Sequence, residues 1–247
     1  MYNYILFTVF ATVCPMPVTK PAPQRFPLGR HDAGDGAERL DAATVIDRLL
    51  DACEGHVAIA CSFQRESAVL IELMAQAGVA PRLFTLDTHL LFPETYEAWR
   101  AVEARYGIEV EVFQGPSLRR QAALYGDRLW ERDPDTCCRI RKVGPLVEAL
   151  EGLEAWMSGL RREQSPSRAT TAKLAWDERH GLWKACPIAD WTAADVAGFI
   201  DQYDLSYNSL HDRGYDSIGC VPCTRPGTGR EGRWAGHGMT ECGLHSR

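Results

Sequence analysis

A chain of 247 residues is long enough for one large domain or two small ones, and its 45% hydrophobic and 24% charged content is that of a globular protein with a real core. The formal net charge of −6 excludes a global electrostatic footprint for nucleic acid, so any anionic ligand must be held by a local cluster of Arg and Lys. Nine cysteines, at 14, 53, 61, 137, 138, 186, 220, 223 and 242, are an odd number in a chain too large to need disulfide staples. A vicinal pair and a C-x-x-C argue against a secreted disulfide framework and for metal binding or redox chemistry in a reducing compartment.

The opening MYNYILFTVFATVCPMP carries an apolar run from Tyr4 to Val13, about as long as a signal-peptide core but with no Lys or Arg ahead of it and too short to span a bilayer. The Pro-rich PVTKPAPQRFPLGR that follows reads as a flexible linker. Residues 1–37 are therefore expected to be a disordered extension, with Met16 as an alternative start, rather than a secretory signal. Glu38 to Cys53 then reads as a helix that buries Leu40, Val45, Leu49 and Leu50.

HVAIACSF (56–63) is a continuous apolar run of the kind buried on both faces in a parallel sheet. The loop QRES leads into a helix stopped by Gly78, and RLFTLD (82–87) is a second strand. Pro93 suits a first helical position, and Phe92, Tyr96, Trp99, Val102 and Tyr106 recur at helical spacing. IEVEVFQG (108–115) alternates more clearly and is expected nearer a sheet edge. CRIRKVGPLVEALEGL reads as helix, bent or restarted at Gly144-Pro145; EAWMSGL (154–160) and WKACPI (183–188) read as strands.

Thr192 and Asp195 form a capping-box variant, opening a helix with Val196, Phe199, Ile200 and Tyr203 along one side. Strands alternating with helices imply an α/β fold, a parallel sheet covered on both faces. After about residue 205 the chain is Gly- and Pro-rich without periodicity, which implies an irregular C-terminal lobe and tail.

In such a fold ligands bind at the carboxyl ends of strands, beside helix N-termini that favour phosphate. SFQRES (62–67) occupies that position after the first strand, with two serines and Arg65 as donors. It is not a Walker A loop, and ordinary strand-to-helix turns bind nothing. SGLRREQSPSR (158–168) packs three arginines and three serines into eleven residues after a strand; its bland reading is a solvated basic loop. Leu86-Asp87-Thr88, closing the second strand, is placed to meet a nucleoside.

Cys137, Cys138, Cys220 and Cys223 supply four thiols, enough for a closed metal site: an iron–sulfur cubane or tetrahedral zinc. Adjacent cysteines diverge and are awkward for one zinc ion, whereas a four-iron cluster offers separate corners. The alternative is that the vicinal pair are small buried apolar residues. Arg139, Arg141 and Lys142 directly afterwards suit an anionic cluster or substrate. Cys242, five residues from the end of the sequence, reads as a mobile reactive thiol rather than a buried structural one.

Taken together, SFQRES, LDTHLLFPETY, CCRIRK, SGLRREQS, NSLHDRGYDSIGCVPCTRP and ECGLH resemble the motifs of the assimilatory adenylyl-sulfate (APS) reductases, within the APS/PAPS reductase family, from about residue 56 to the C-terminus. The resemblance implies an adenine-nucleotide α-hydrolase-like sheet, related to the ATP pyrophosphatases. It implies reduction of adenylyl sulfate to sulfite and AMP in sulfate assimilation and cysteine biosynthesis, with thioredoxin as electron donor and the cytoplasm as location. Relatives acting on the 3′-phosphorylated nucleotide generally lack the cluster cysteines, and all four are present here.

Carried over by motif, Cys137, Cys138, Cys220 and Cys223 would bind a 4Fe–4S cluster. Cys242 would attack the sulfate sulfur, expel AMP and become S-sulfocysteine, from which thioredoxin releases sulfite. Lys142, Arg230, Arg233 and His245 would neutralise the phosphosulfate, with Ser62, Gly159 and Arg161 on the nucleotide side. Residues 38–235 would form the reductase domain and 236–247 a mobile tail that serves nucleotide and thioredoxin in turn. Glu241, directly before the nucleophile, would oppose thiolate formation, so the cations must outweigh it. No nucleic-acid or membrane partner is expected, and the sequence leaves the oligomeric state open, a homo-oligomer included.

Two further readings remain beside the PAPS-reducing one. An ATP pyrophosphatase would want Ser-Gly-Gly-x-Asp-Ser, and SFQRES lacks both glycines and the Asp. A zinc module binding protein or nucleic acid would make no use of Cys242.

Overall fold

The computed structural model describes residues 36–234, 236–239 and 241–245. The expected extension, with Cys14 and Met16, lies outside the described residues apart from its last two positions. Helix α1 (Ala42–Ala52) starts where Asp41 accepts a hydrogen bond from the Thr44 amide at 2.8 Å, four residues later than the pattern predicted. The apolar run that follows forms β1 (Val57–Ala60), and a tight turn leads into α2 (Arg65–Gln76), ended by left-handed Gly78.

β2 (Leu83–Asp87) and α3 (Pro93–Tyr106) repeat the unit, with Pro93 in the first helical turn. After β3 (Glu111–Gln114) come short helices α4 (Leu118–Tyr125), α5 (Leu129–Arg132) and α6 (Pro134–Cys138). The predicted interruption at Gly144-Pro145 takes a particular form. The helical run continues into α7 (Gly144–Ala149) through a π turn over Arg139–Val143. A proline ring collides with the carbonyl four residues earlier in a regular helix, and a widened turn relieves that collision without ending the helix.

β4 (Ala155–Met157) is followed by β5 (Leu174–Asp177), β6 (Leu182–Ala185) and α8 (Ala193–Tyr203), whose capping box is present as predicted. β5 was not foreseen. It is a four-residue edge strand paired antiparallel to β6, too short to show a period.

The sheet order is β3-β2-β1-β4-β6-β5, parallel except for β5. β3 lies at an edge, as its alternation predicted. Strand side chains divide between two cores with a period of two. Val57, Ile59, Ala155 and Met157 join Ile46, Leu70, Val102 and Ile200 on one face. Ala58, Phe84, Trp156 and Leu182 join Leu146 and Leu150 on the other. The strand order reverses between β1 and β4, and their carboxyl ends diverge into a crevice where such folds bind ligands.

The irregular lobe after α8 is fastened to this crevice by Asn208, which is fully buried. Its Nδ2 donates to Thr95 Oγ1 at 3.0 Å, its Oδ1 accepts from the Leu210 amide at 3.0 Å, and its own amide donates to the Phe63 carbonyl. Asn208→Ala leaves buried partners unsatisfied, so it should destabilise the fold by about 1–3 kcal/mol, read as a lower urea midpoint at unchanged m-value. An unchanged midpoint would show that the lobe is held elsewhere.

Candidate active site

A cavity of about 470 Å³ opens at the reversal point. Ser62, Lys142, Gly159, Arg161, Arg230, Arg233, Cys242 and His245 all line it, together with Cys220. Eight positions spread from 62 to 245 thus meet around one space. Cys137, Cys138 and Cys223 are not wall residues.

One end is built by the loop after β1. Phe63 takes a left-handed conformation at φ 56° and stacks on Trp99 with ring centroids 5.4 Å apart. The Ser62 amide donates to Ser67 Oγ at 3.1 Å, and Gln64 Nε2 donates to Ser62 Oγ at 3.2 Å. Gln64 Oε1 accepts from the Ile218 amide, tying the lobe to the loop. α2 has no side-chain cap, so its first amides remain open to an anion or to solvent.

Gly159 lets the loop after β4 approach α2, since a Cβ there would lie 2.5 Å from Glu66 Cβ. Arg161 lines the cavity, but its guanidinium is committed to Glu66, Glu163 and the Trp191 carbonyl. It holds the rim in shape, and of its five N–H donors these four bonds leave one on Nη2 for a ligand.

The other end is cationic. Trp234, fully buried and left-handed at φ 48°, has Arg233, Arg230 and Lys142 around its ring at 4.4, 5.5 and 5.9 Å. Arg233 donates to Ser217 Oγ and the Ile218 carbonyl, in space that any side chain at Gly219 would fill. Burial and the neighbouring Arg168 press Arg230 down to about 10, against the pull of Glu241. For Lys142, burial alone favours the neutral amine, but the facing sulfurs of Cys220, Cys242 and Cys138 outweigh it and raise its pKa.

The tail folds back onto this end. Glu241 makes a two-point ion pair with Arg168, at 2.7 and 2.9 Å, and a further pair with Arg230 at 3.0 Å. Arg168 leads the causes that hold its carboxyl below the usual range against burial. The carboxylate beside Cys242 is therefore ion-paired to two arginines. Leu244 packs against the core behind Trp156, and the His245 ring lies over that indole at 5.7 Å and 13°. Burial, then Lys184, Arg168 and Arg230, keep His245 neutral, well below its ordinary 6.5.

The four grouped cysteines act on one another. Cys137, Cys138 and Cys220 are buried and Cys223 half-buried, and all are free. Burial and the neighbouring sulfurs push Cys137 to about 11 and Cys223 to about 12. Burial also raises Cys138, while Lys142 and the buried indole of Trp234 oppose that shift. Thr88 Oγ1 lies 3.2 Å from Cys220 Sγ, and Arg141 braces the same loop by donating to the Thr88 and Pro116 carbonyls. Cys53, Cys61 and Cys186 are buried thiols with raised pKa values.

Sequence reasoning missed Arg168, Trp156, Trp234 and Lys184. Arg168 sat inside the basic loop and Trp234 beside Arg233, so both were within reach of the motifs. Trp156 read as a core residue of its strand, and nothing marked Lys184.

Fold and cavity define an α/β protein of the adenine-nucleotide α-hydrolase-like class. Residues 56–226 match the family model described as the phosphoadenosine phosphosulfate reductase domain. The chain is 48% identical over 195 residues to the adenosine 5′-phosphosulfate reductase of Geobacillus kaustophilus (strain HTA426), covering 76% of this chain and 83% of that one. It is 43% identical over 226 residues to that of Anoxybacillus flavithermus (strain DSM 21510 / WK1), covering 89% and 93%.

Among solved structures it resembles the phosphoadenylyl-sulfate reductase of Candida auris in its phosphate complex, with a TM-score of 0.69 and 25% identity over 79% of this chain and 97% of that one. The FMN adenylyltransferase of Candida glabrata shares the fold at a TM-score of 0.56 and 12% identity, covering 78% and 63%. The chain belongs to the APS/PAPS reductase family.

A docked neutral His245 gives the tail a pH dependence. Once released, the ring takes up a proton below about 6.5, so docking is full above that pH and weakens as pH falls, by up to about tenfold per unit. Loss of the Glu241 pairs belongs to a lower window, beneath 4.5. Hydrogen exchange at residues 241–245, corrected for intrinsic rates, should accelerate from pH 7 to 5.5; a flat profile would contradict a buried neutral ring. Brief alkylation of the native protein should label half-buried Cys242 before Cys53, Cys61 or Cys186.

Proposed function

We propose that this protein reduces adenylyl sulfate to sulfite and AMP through an S-sulfocysteine on Cys242, with thioredoxin as the reductant. What carries the reading is the meeting of Cys242, Lys142, Arg230, Arg233 and His245 in one cavity whose far end is the open N-terminus of α2. A thiolate attacking an anionic sulfo group must overcome repulsion, and these cations lower that barrier.

The nucleotide lies between the Ser62 loop and Gly159, with the phosphosulfate toward Trp234. The Cys242 sulfur bonds to the sulfate sulfur, the S–O bond to phosphate breaks, and its electron pair leaves with AMP. A thioredoxin thiolate then attacks the Cys242 sulfur, the S–S bond to the sulfo group breaks, and sulfite departs with that pair. The second thioredoxin thiol resolves the mixed disulfide. Arg168 and Arg230 hold Glu241 and so hold the nucleophile in place, while Arg161 shapes the rim.

Cys137, Cys138, Cys220 and Cys223 would hold a 4Fe–4S cluster. Among the described residues no three His, Cys, Asp or Glu side chains are grouped to hold a metal ion, and the reading rests on the four thiols being free and on the cations beside them. A bound cluster would take these thiols as thiolates against their raised pKa values, and Arg141 and Lys142 supply opposing positive charge. When bound, the cluster supplies a fixed field beside Lys142. No described helix is long and apolar enough to cross a membrane, and the free thiols agree with work in the cytoplasm.

The relatives named for the unphosphorylated nucleotide match at 43–48% identity, against 25% for the structure named for the 3′-phosphorylated one. Adenylyl sulfate should therefore turn over with the higher kcat/KM of the two. Anaerobically purified protein should be brown, and incubation with adenylyl sulfate should add a labile sulfite-sized mass to the Cys242 peptide. Cys242→Ser should keep iron and lose both the adduct and turnover; a variant that still turns over sinks the assignment.

A further inference from the structure

Lys184 lies on β6 in register with Trp156 on β4, and both side chains leave the face of the sheet on which the tail docks. Its Nζ stands 4.8 Å from the Trp156 ring centroid and 3.3 Å from Nδ1 of His245. The indole is itself pinned, its Nε1 donating to Asp177 Oδ2 at 3.3 Å, an oxygen shared with His180 Nδ1 at 2.8 Å. His245 is thus stacked on a fixed ring and met edge-on by an ammonium group. Lysine has three donors and no acceptor, so the imidazole nitrogen it meets must be the acceptor. The single proton of a neutral ring then resides on Nε2, the nitrogen left for the cavity that His245 lines.

We propose that Lys184 is a positioning residue that fixes His245 as its Nε2–H tautomer, presenting an N–H donor to the phosphosulfate. This rests on the sulfonucleotide reading above. As the sulfur–oxygen bond breaks, its electron pair stays on the phosphate oxygen of the departing AMP, where an N–H stabilises it. The opposite tautomer would aim a lone pair at that oxygen. A doubly protonated ring would also donate, but Lys184, Arg168 and Arg230 all face His245 and oppose a second charge there. Burial lowers the pKa of Lys184 and Arg168 adds to that, while the facing Cys186, Asp177 and Glu241 act to keep it charged. It is not a cavity wall residue, so its effect on the reaction passes through the histidine.

The test uses full-length protein labelled with ¹⁵N-histidine, with His245→Asn identifying the His245 signals among the seven histidines. In the parent protein near pH 7.5, the Nδ1 and Nε2 shifts should report an unprotonated Nδ1 and a protonated Nε2. Lys184→Met, which fills the same space without a donor, should give mixed tautomers; Lys184→Arg, whose guanidinium also only donates, should restore the single one. In turnover, Lys184→Met should lower kcat about 10- to 100-fold with KM for adenylyl sulfate nearly unchanged, and Lys184→Arg should recover most of it.

An Nδ1–H ring in the parent protein, or an unaltered tautomer in a folded Lys184→Met, overturns the inference even if adenylyl sulfate is reduced normally. If the parent protein failed to reduce adenylyl sulfate, the functional reading would fall and the nitrogen shifts would still decide what Lys184 does.

Discussion

Four cations, Lys142, Arg168, Arg230 and Arg233, share the walls of one cavity in a chain whose overall charge is negative. Like charges so placed repel, and the fold must hold them together before any ligand arrives. It does so with three kinds of partner: the face of Trp234, the cysteine sulfurs around Lys142, and one carboxylate brought in by the tail. Each partner is also part of the proposed chemistry. Glu241 delivers the neighbouring Cys242, and the thiols beside Lys142 are those read as cluster ligands. Electrostatic compensation and catalytic assembly are therefore the same set of contacts.

This arrangement explains why the site stands at the crevice between β1 and β4. Only there do the open end of α2, the loop after β4 and the C-terminal lobe come within side-chain reach of one another. The π turn between Cys138 and Gly144 serves the same end, carrying the helix past Pro145 while keeping Arg141 and Lys142 buried beside the cysteines. A straight helix through that proline would cost the hydrogen-bond ladder and the placement of Lys142 together.

The sheet was legible because buried parallel strands write themselves as short apolar runs and Gly78, Pro93 and Thr192 punctuate the helices. β5 was not, because four residues at an edge carry too little period to register. Cys242, Lys142, Arg230, Arg233 and His245 were found through motifs that place them far apart in sequence, and the structure brings them to one space. Arg161 was found too, but its commitment to Glu66 and Glu163 depends on the spatial approach permitted by Gly159, which no one-dimensional pattern encodes. Lys184 was invisible for a related reason. Its importance comes from lateral register with Trp156, and neighbours across a sheet leave no local signature.

The anchoring of Trp234, whose amide donates to the Cys223 carbonyl at 2.9 Å, sets a boundary on reach. Eight residues lead from that pivot to Cys242, and so short a length fully drawn out spans roughly 28 Å. On the proposed reading, any thiol that attacks the sulfo-bearing Cys242 must meet it inside that radius. The length of this leash therefore limits a redox partner's approach, whatever that partner's affinity elsewhere.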